Sequence, residues 1–246
     1  MTNTLILIPS RMAATRLPGK PLLKIDNLSI ICHVFKRAEE ANIGEVVVAT
    51  EDKEILDDVL KNGGKGILTN NNHKTGTDRI FEAYKKLNIK NIDYILNLQG
   101  DEPNINKDDI INLNNSMINS NSEIGTLAAT ITDNKMLNDK NVVKVITESK
   151  LDKNNFLTAT NFTRENLSKI DQNIYHHIGI YSYMVSALKK FVSLKQTKNE
   201  IDNKLEQLRA LDNKLKINVA LAKSSPIGVD TKEDYLAIKK IMEYKS

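Results

Sequence analysis

Leu5-Ile6-Leu7-Ile8-Pro9-Ser10-Arg11-Met12-Ala13-Ala14-Thr15-Arg16-Leu17-Pro18-Gly19-Lys20-Pro21-Leu22 is the stretch on which the fold turns. Four consecutive aliphatic residues closed by Pro9 have the composition of a fully buried strand. The loop that follows carries three cations, Arg11, Arg16 and Lys20, with no acid between them, and two further prolines and Gly19 restrict its backbone. In an open α/β sheet, ligands bind beyond the carboxyl ends of the strands. A constrained cationic loop directly after the first strand is therefore placed to hold a polyphosphate, where the same loop elsewhere would read as solvated surface.

Working outward, Ile30, Ile31, Val34, Phe35 and Ala38 recur at helical spacing, and residues 45–49 form a second buried strand. Asp52 is placed to cap a helix carrying Ile55, Leu56, Val59 and Leu60, which Gly63-Gly64 would stop. Residues 67–68 and 93–98 read as strands, with a helix over 77–87 between them. From about Gly125 the texture becomes Thr- and Val-rich, predicting strands over 125–131, 142–147 and 174–184 that either extend the sheet or build a lobe beside it. A single helix over 200–214, striped by Leu205, Leu208, Leu211 and Leu215, precedes a late strand over 217–222. Thr231-Lys232-Glu233-Asp234 has the form of a capping box opening the last helix. The pattern predicts an α/β fold: an open, mostly parallel sheet flanked by helices, with an additional smaller sheet/helix lobe, in one continuous domain over 1–246.

Lys+Arg 35 against Asp+Glu 31 leaves a net charge of +4, with both signs spread along the whole chain. That distribution argues against a dedicated nucleic-acid or membrane binder and favours a small-molecule partner. No apolar run approaches the ~20 residues of a membrane span, and the amino terminus lacks the form of a signal peptide. Cys32 is the only cysteine, which excludes an internal disulfide and a Cys-rich zinc site and fits a reducing cytoplasm; its place on the apolar side of the first helix makes it a small core residue.

Two nucleotide signatures are absent. Lys20 is followed by Pro21 rather than Ser or Thr, so the loop is not a Walker A, and the glycines at 63, 64 and 66 have the wrong spacing for a dinucleotide fingerprint. After the strand over 93–98 comes Gln99-Gly100-Asp101-Glu102-Pro103. A carboxylate just past a strand, beside a glycine that permits close approach, suits a hydrated Mg²⁺ that also contacts substrate phosphates. The competing reading of Asp101 is an ordinary turn, with Glu102 structural. His176 and His177 are neighbours on a strand, so they face opposite ways and cannot hold one metal together.

The loop Arg11 to Leu22, together with Val48-Ala49-Thr50, Thr75-Gly76-Thr77-Asp78-Arg79, Gln99 to Pro103, Asn141 to Val145, His177 to Tyr181, Glu206 to Arg209 and Gly228 to Asp234, resembles the 3-deoxy-manno-octulosonate (Kdo) cytidylyltransferases, the CMP-Kdo synthetases of lipopolysaccharide biosynthesis. The blocks follow the family's order across nearly the whole chain. The resemblance implies a CTP-dependent, cytoplasmic, homodimeric transferase that takes an eight-carbon sugar acid and uses Mg²⁺. It implies catalytic roles for Arg11, Lys20, Asp101 and Asp230, with Asp101 and Asp230 as metal ligands. Arg11, Arg16, Lys20, Thr75, Thr77, Arg79 and Gln99 fall to the nucleotide, and Arg164, His177, Tyr181, Glu206 and Gln207 to the sugar acid. Residues from about 140 to 215 would contribute the sugar-binding and dimerisation lobe. The family's Phe-Ser-Arg is matched by Phe162-Thr163-Arg164 without the following Ile-Pro; an unshifted register would put Thr160-Asn161 there and remove the positive charge. Alternatives are a cytidylyltransferase for an 8-amino or sialic-type acid, a glycosyltransferase consuming a nucleotide sugar at Asp101, and a non-catalytic nucleotide or sugar-acid sensor.

Overall fold

The fold begins where the aliphatic run does. β1 (Thr4–Ser10) has Leu5 to Ile8 with no exposed surface, as a strand covered on both faces requires. The structure, a computed structural model, describes residues 3–13, 16–167, 171 and 173–244, so Ala14 and Thr15 of the cationic loop lie outside the described residues. The chain divides into two compact units, Met1–Ile110 with Pro226–Ser246, and Ile111–Ser225.

In the first unit, the loop after β1 ends in a 3-10 turn, Lys20–Leu22, entered through Gly19 at a φ of 72° that disfavours any side chain. β2 (Lys24–Ile25) and β3 (Leu28–Ser29) form a hairpin whose two loop residues, Asp26 and Asn27, both take positive φ. α1 (Ile30–Glu40) follows, capped by the Ser29 hydroxyl on Cys32 N–H, with Ile30, Ile31, Val34, Phe35 and Ala38 buried as their spacing predicts. Next come β4 (Gly44–Thr50), α2 (Lys53–Lys61), β5 (Gly66–Leu68), α3 (Gly76–Leu87) and β6 (Tyr94–Asn97). The four longer strands pair in the order β5-β4-β1-β6, all parallel, so their carboxyl ends open on one edge.

One cap differs from expectation. Asp52 occupies the N-cap position of α2 but makes no side-chain cap; its carboxylate instead accepts the Met12 N–H at 2.7 Å. An acid able to cap a helix here pins the cationic loop.

α4 (Lys107–Ser120) leads into the second unit, which contains β7 (Ile124–Thr130), α5 (Asn134–Asn138), β8 (Lys144–Thr147), β9 (Leu157–Thr163), β10 (Ile174–Met184), α6 (Val185–Ser193), α7 (Lys198–Asn203), α8 (Leu208–Asp212) and β11 (Asn218–Leu221). Its five strands pair in the order β10-β7-β11-β9-β8, and β8 pairs back onto β10. Within this unit the pairs β10–β7, β11–β9, β8–β9 and β8–β10 are antiparallel and β11–β7 is parallel. The single helix expected over 200–214 is two short ones. Lys204 takes φ 53°, the Leu205 N–H returns to Glu200 O, and the chain turns before α8 starts. Leu205, Leu208 and Leu215 remain buried, so the leucine spacing reported burial correctly and continuity incorrectly.

The last segment returns to the first unit. α9 (Lys232–Glu243) opens with the expected capping box, Thr231 and Asp234 each bonding the other's backbone N–H. Ile238 and Val229 pack with Ile25 and Ile30 in one buried cluster. Among the described residues no helix is long and apolar enough to cross a membrane.

Candidate active site

At the carboxyl end of the parallel strands the first unit holds a cavity of about 370 Å³. Arg11, Arg16, Lys20, Thr75, Arg79, Gln99, Asp101 and Asp230 all line it, so eight of the residues singled out by sequence are brought together. Thr77, the ninth on this side, is buried and does not line the cavity.

Each side chain is placed by an identifiable device. Gly100 lets β6 run close under β1: a Cβ there would lie 3.0 Å from Pro9 O and 3.1 Å from Ile31 Cδ1. Asp101 follows it, and its backbone carbonyl accepts the Val229 N–H at 2.9 Å, tying the C-terminal segment to the β6 loop. That tie delivers Asp230. Lys20 Nζ then sits 2.7 Å from Asp101 Oδ2 and 3.3 Å from Asp230 Oδ1, while Arg16 Nη2 is 2.9 Å from Asp230 Oδ2. Burial works to lower the Lys20 pKa, but Asp101 and then Asp230 outweigh it and hold the ammonium above its usual value. Beside this cluster Glu102 is buried with Oε2 unpartnered, and burial, reinforced by Asp101, pushes its carboxyl up to about 8.

Arg79 is the most constrained of the cavity cations. Its guanidinium pairs with Glu51 and donates to Thr69 Oγ1 at 2.6 Å and to Asn70 O at 3.2 Å. Thr75 caps α3 through the Asp78 N–H, which puts Asp78 and Arg79 in the first turn of that helix. Sequence reasoning passed over His73 and Lys74, which also line the cavity. Their one signal was position, immediately before the Thr75-Gly76-Thr77 helix start.

The remaining candidates lie in the second unit. β10 carries an irregularity between Ile178 and Tyr181, and Thr126 fills it: its hydroxyl donates to Ile180 O at 2.7 Å and lies 3.0 Å from His177 Nε2. His177 is packed edge-on to Phe162 at 5.0 Å and beside Tyr181 at 5.4 Å. Burial, with His176 and Arg164 nearby, lowers its pKa to about 3, so the ring is neutral. His176 is separate, bonded through Nδ1 to Ser225. Arg164, just past β9, donates to the Lys140 and Asn141 carbonyls. Glu206 and Gln207 occupy the turn between α7 and α8; that turn is braced by Arg209, whose Nε and Nη2 meet the Glu200 carboxylate at 2.8 and 2.5 Å. Lys144, which no sequence argument singled out as a site residue, is wholly buried with Nζ on Asp139 O at 2.9 Å.

Among the described residues no three His, Cys, Asp or Glu side chains gather to hold a metal unaided. Two carboxylates do converge, and a cation already lies between them. That donor set fits a hard cation that completes its shell with water and phosphate oxygens, the habit of Mg²⁺.

A family model described as cytidylyltransferase matches residues 5–217. A Rhodopseudomonas palustris (strain BisB18) protein named 3-deoxy-manno-octulosonate cytidylyltransferase is 45% identical over 245 residues, 99% of each chain. A Bartonella tribocorum protein of the same name is 42% identical over 239 residues, 97% of this chain and 98% of its own. Among solved structures, a CMP:2-keto-3-deoxy-manno-octonic acid synthetase complexed with CTP superposes with a TM-score of 0.89 at 31% identity, covering 100% of both chains. A UDP-glucose pyrophosphorylase matches in fold alone, with a TM-score of 0.74 at 14% identity.

Proposed function

The chain belongs to the cytidylyltransferase family, and from that membership we propose its reaction: it activates 3-deoxy-manno-octulosonate with CTP, releasing pyrophosphate and giving the CMP-linked sugar acid used in lipopolysaccharide assembly. The observation that carries the reading is the cavity at the strand ends, where Arg11, Arg16 and Lys20 face Asp101 and Asp230. A sensor of nucleotide would need the cations and not the carboxylates.

In this reaction the anomeric hydroxyl of the sugar acid attacks the α-phosphorus and negative charge grows on the departing pyrophosphate. The chain's contribution is position and charge. Lys20 and Arg16, neutralised by Asp101 and Asp230 in the free protein, are transferable to phosphate oxygens when a triphosphate enters. Arg11, which lines the cavity and pairs with no acid among the described residues, meets the phosphates directly. Asp101 and Asp230 would hold the Mg²⁺, which when bound supplies charge neutralisation and orientation of the phosphate oxygens. The α3 amino terminus, capped by Thr75, lends its partial positive charge to the same cavity.

For the sugar acid the family resemblance assigns Arg164, whose guanidinium suits a carboxylate, with neutral His177, Tyr181, Glu206 and Gln207 as hydrogen-bonding groups. The same resemblance supports a homodimer and a cytoplasmic location. The test is pyrophosphate release from CTP with Mg²⁺ in the presence of Kdo, its 8-amino analogue, a sialic acid or no sugar, with the product identified by mass. Kdo-dependent release yielding CMP-Kdo is expected. Release with another acid alone would move the specificity, and CTP binding without release would favour a sensor.

A further inference from the structure

Residues 70–74, which bring His73 and Lys74 to the cavity wall, have no backbone–backbone hydrogen bond among the described residues; the last rung before them is Thr69 N–H to Thr50 O. Their position depends on side chains, and two residues one turn apart on α3 supply the hold. Arg79 clamps the beginning of the segment at Thr69 and Asn70, as described above. Glu82, three residues on and 9% exposed, takes the rest. Its carboxylate accepts the Asn70 N–H at 3.0 Å, pairs with Lys86 at 2.7 Å and bonds His73 Nε2. Burial alone would raise its pKa, but Lys86, His73 and the Asn70 N–H reverse this and bring it to about 2, so the carboxylate is charged at any working pH.

A charged acceptor on Nε2 fixes that ring nitrogen as the proton-bearing one and sets the imidazole's orientation, leaving Nδ1 for other partners. Arg79 already secures the segment to the sheet, and Glu82 adds a bond to the His73 imidazole, which lines the cavity. We propose that Glu82 is a positioning residue for the nucleotide, acting through His73 to hold the 70–75 segment as the cavity wall against which CTP binds.

This rests on the reading of the cavity as the CTP site, and the experiment separates the two. CTP affinity is measured by calorimetry, and KM for CTP and for the sugar acid by steady-state turnover, in wild type, Glu82→Gln, His73→Ala, His73→Gln and the Glu82→Gln/His73→Ala pair. Loss of one charge-assisted hydrogen bond should weaken CTP by about tenfold in Glu82→Gln and in His73→Ala. The sugar-acid KM should stay put, and the double variant should be no weaker than either single one. His73→Gln, whose amide Nε2 can donate to the same carboxylate, should recover most of the loss. Wild-type CTP affinity in Glu82→Gln, an equal rise in both KM values, or losses that multiply in the double variant would overturn the proposal. His73→Ala decides alone if Glu82→Gln does not fold. Tight CTP binding without turnover in wild type would sink the transferase reading and leave the His73–Glu82 role to be judged by calorimetry; a wild type that does not bind CTP removes both.

Discussion

Arg209→Met removes a guanidinium whose Nε and Nη2 bond Glu200 at 2.8 and 2.5 Å. Both side chains are under 5% exposed, at 3% and 4%. Arg209 also lies over the Phe191 ring at 4.7 Å, a packing contact that methionine largely keeps. What is lost is charge compensation: Glu200 retains only the Gln196 amide at 3.1 Å and the Thr197 N–H at 3.3 Å among its described partners. Breaking a buried pair on one side costs about 3–5 kcal/mol. At about 2–4 °C per kcal/mol for a protein of this size, the melting temperature should fall by roughly 6–20 °C. Glu200→Gln/Arg209→Met should be less damaged than Arg209→Met alone, because the buried Glu200 charge goes with its partner, while Glu206, 3.7 Å from Arg209 Nη2, loses its cation equally in both variants. The pH dependence follows from the Glu200 pKa. Burial would raise it, but Arg209 and Gln196 outweigh burial and hold it below the usual value. The stabilisation is therefore complete above the ordinary carboxylate pKa and is lost as pH falls through the depressed folded one. Thermal and urea unfolding followed by far-UV circular dichroism, at pH 7 and near pH 3, measures all of this. A loss below about 1 kcal/mol, the value of a surface pair, would refute the reasoning, as would a double variant weaker than the single one.

Asp101→Asn keeps side-chain size but removes the negative charge beside Lys20 and one of the two carboxylates proposed to hold Mg²⁺; kcat should fall by on the order of a hundredfold or more with the circular dichroism spectrum unchanged, and a normal kcat would refute the proposed ligand role. Arg164→Ala should raise the sugar-acid KM by about tenfold at constant CTP KM, and an unchanged sugar KM would favour the register that places Thr160-Asn161 there. His177, with a folded pKa of about 3, stays neutral while the unfolded chain takes up its proton below the usual 6.5. Its contribution is thus present above that value and lost as pH falls toward 3, at up to about 1.4 kcal/mol per pH unit; urea midpoints at pH 7.5 and 4.5 should show a shallower slope in His177→Asn, and equal slopes would count against burial of the neutral ring. Cys32 is 3% exposed and burial pushes its thiol up to about 11; it should resist a disulfide reagent in the native protein and react fully in urea, and rapid native labelling would contradict its place in the core.

Long-range order in the first unit was legible because its physics is local. A run such as Leu5 to Ile8 has few alternatives to a covered strand, and a cationic loop after it has one place to be. The closing capping box was equally readable, since Thr231 and Asp234 need only each other. β9 was not foreseen: its Thr-Ala-Thr-Asn sequence alternates weakly, and its strand character comes from partners at 144–147 and 218–219 that no local window contains. The break at Lys204 was hidden because a lysine in the left-handed region has no sequence signature of the kind glycine provides. At the site, the residue types marked by charge and by order along the chain were found, and eight of them share one cavity. His73 was missed because its significance comes from Glu82, a residue with no distinguishing context until α3 is formed.

Asp230 and the Val229–Ile238 half of the cluster under β2 and β3 arrive from Pro226–Ser246, after all of residues 111–225 have been made. A ribosome needs on the order of ten seconds to add that stretch. During that interval the emerged parallel strands hold Lys20 with only Asp101 to meet it, and Ile25 and Ile30 await their cover. The nascent chain thus shows chaperones an apolar patch that disappears only with the final helix. A premature stop anywhere between 226 and 230 would leave a protein that has nearly all of this sequence, a sticky flank, and a cation cluster missing its second acid.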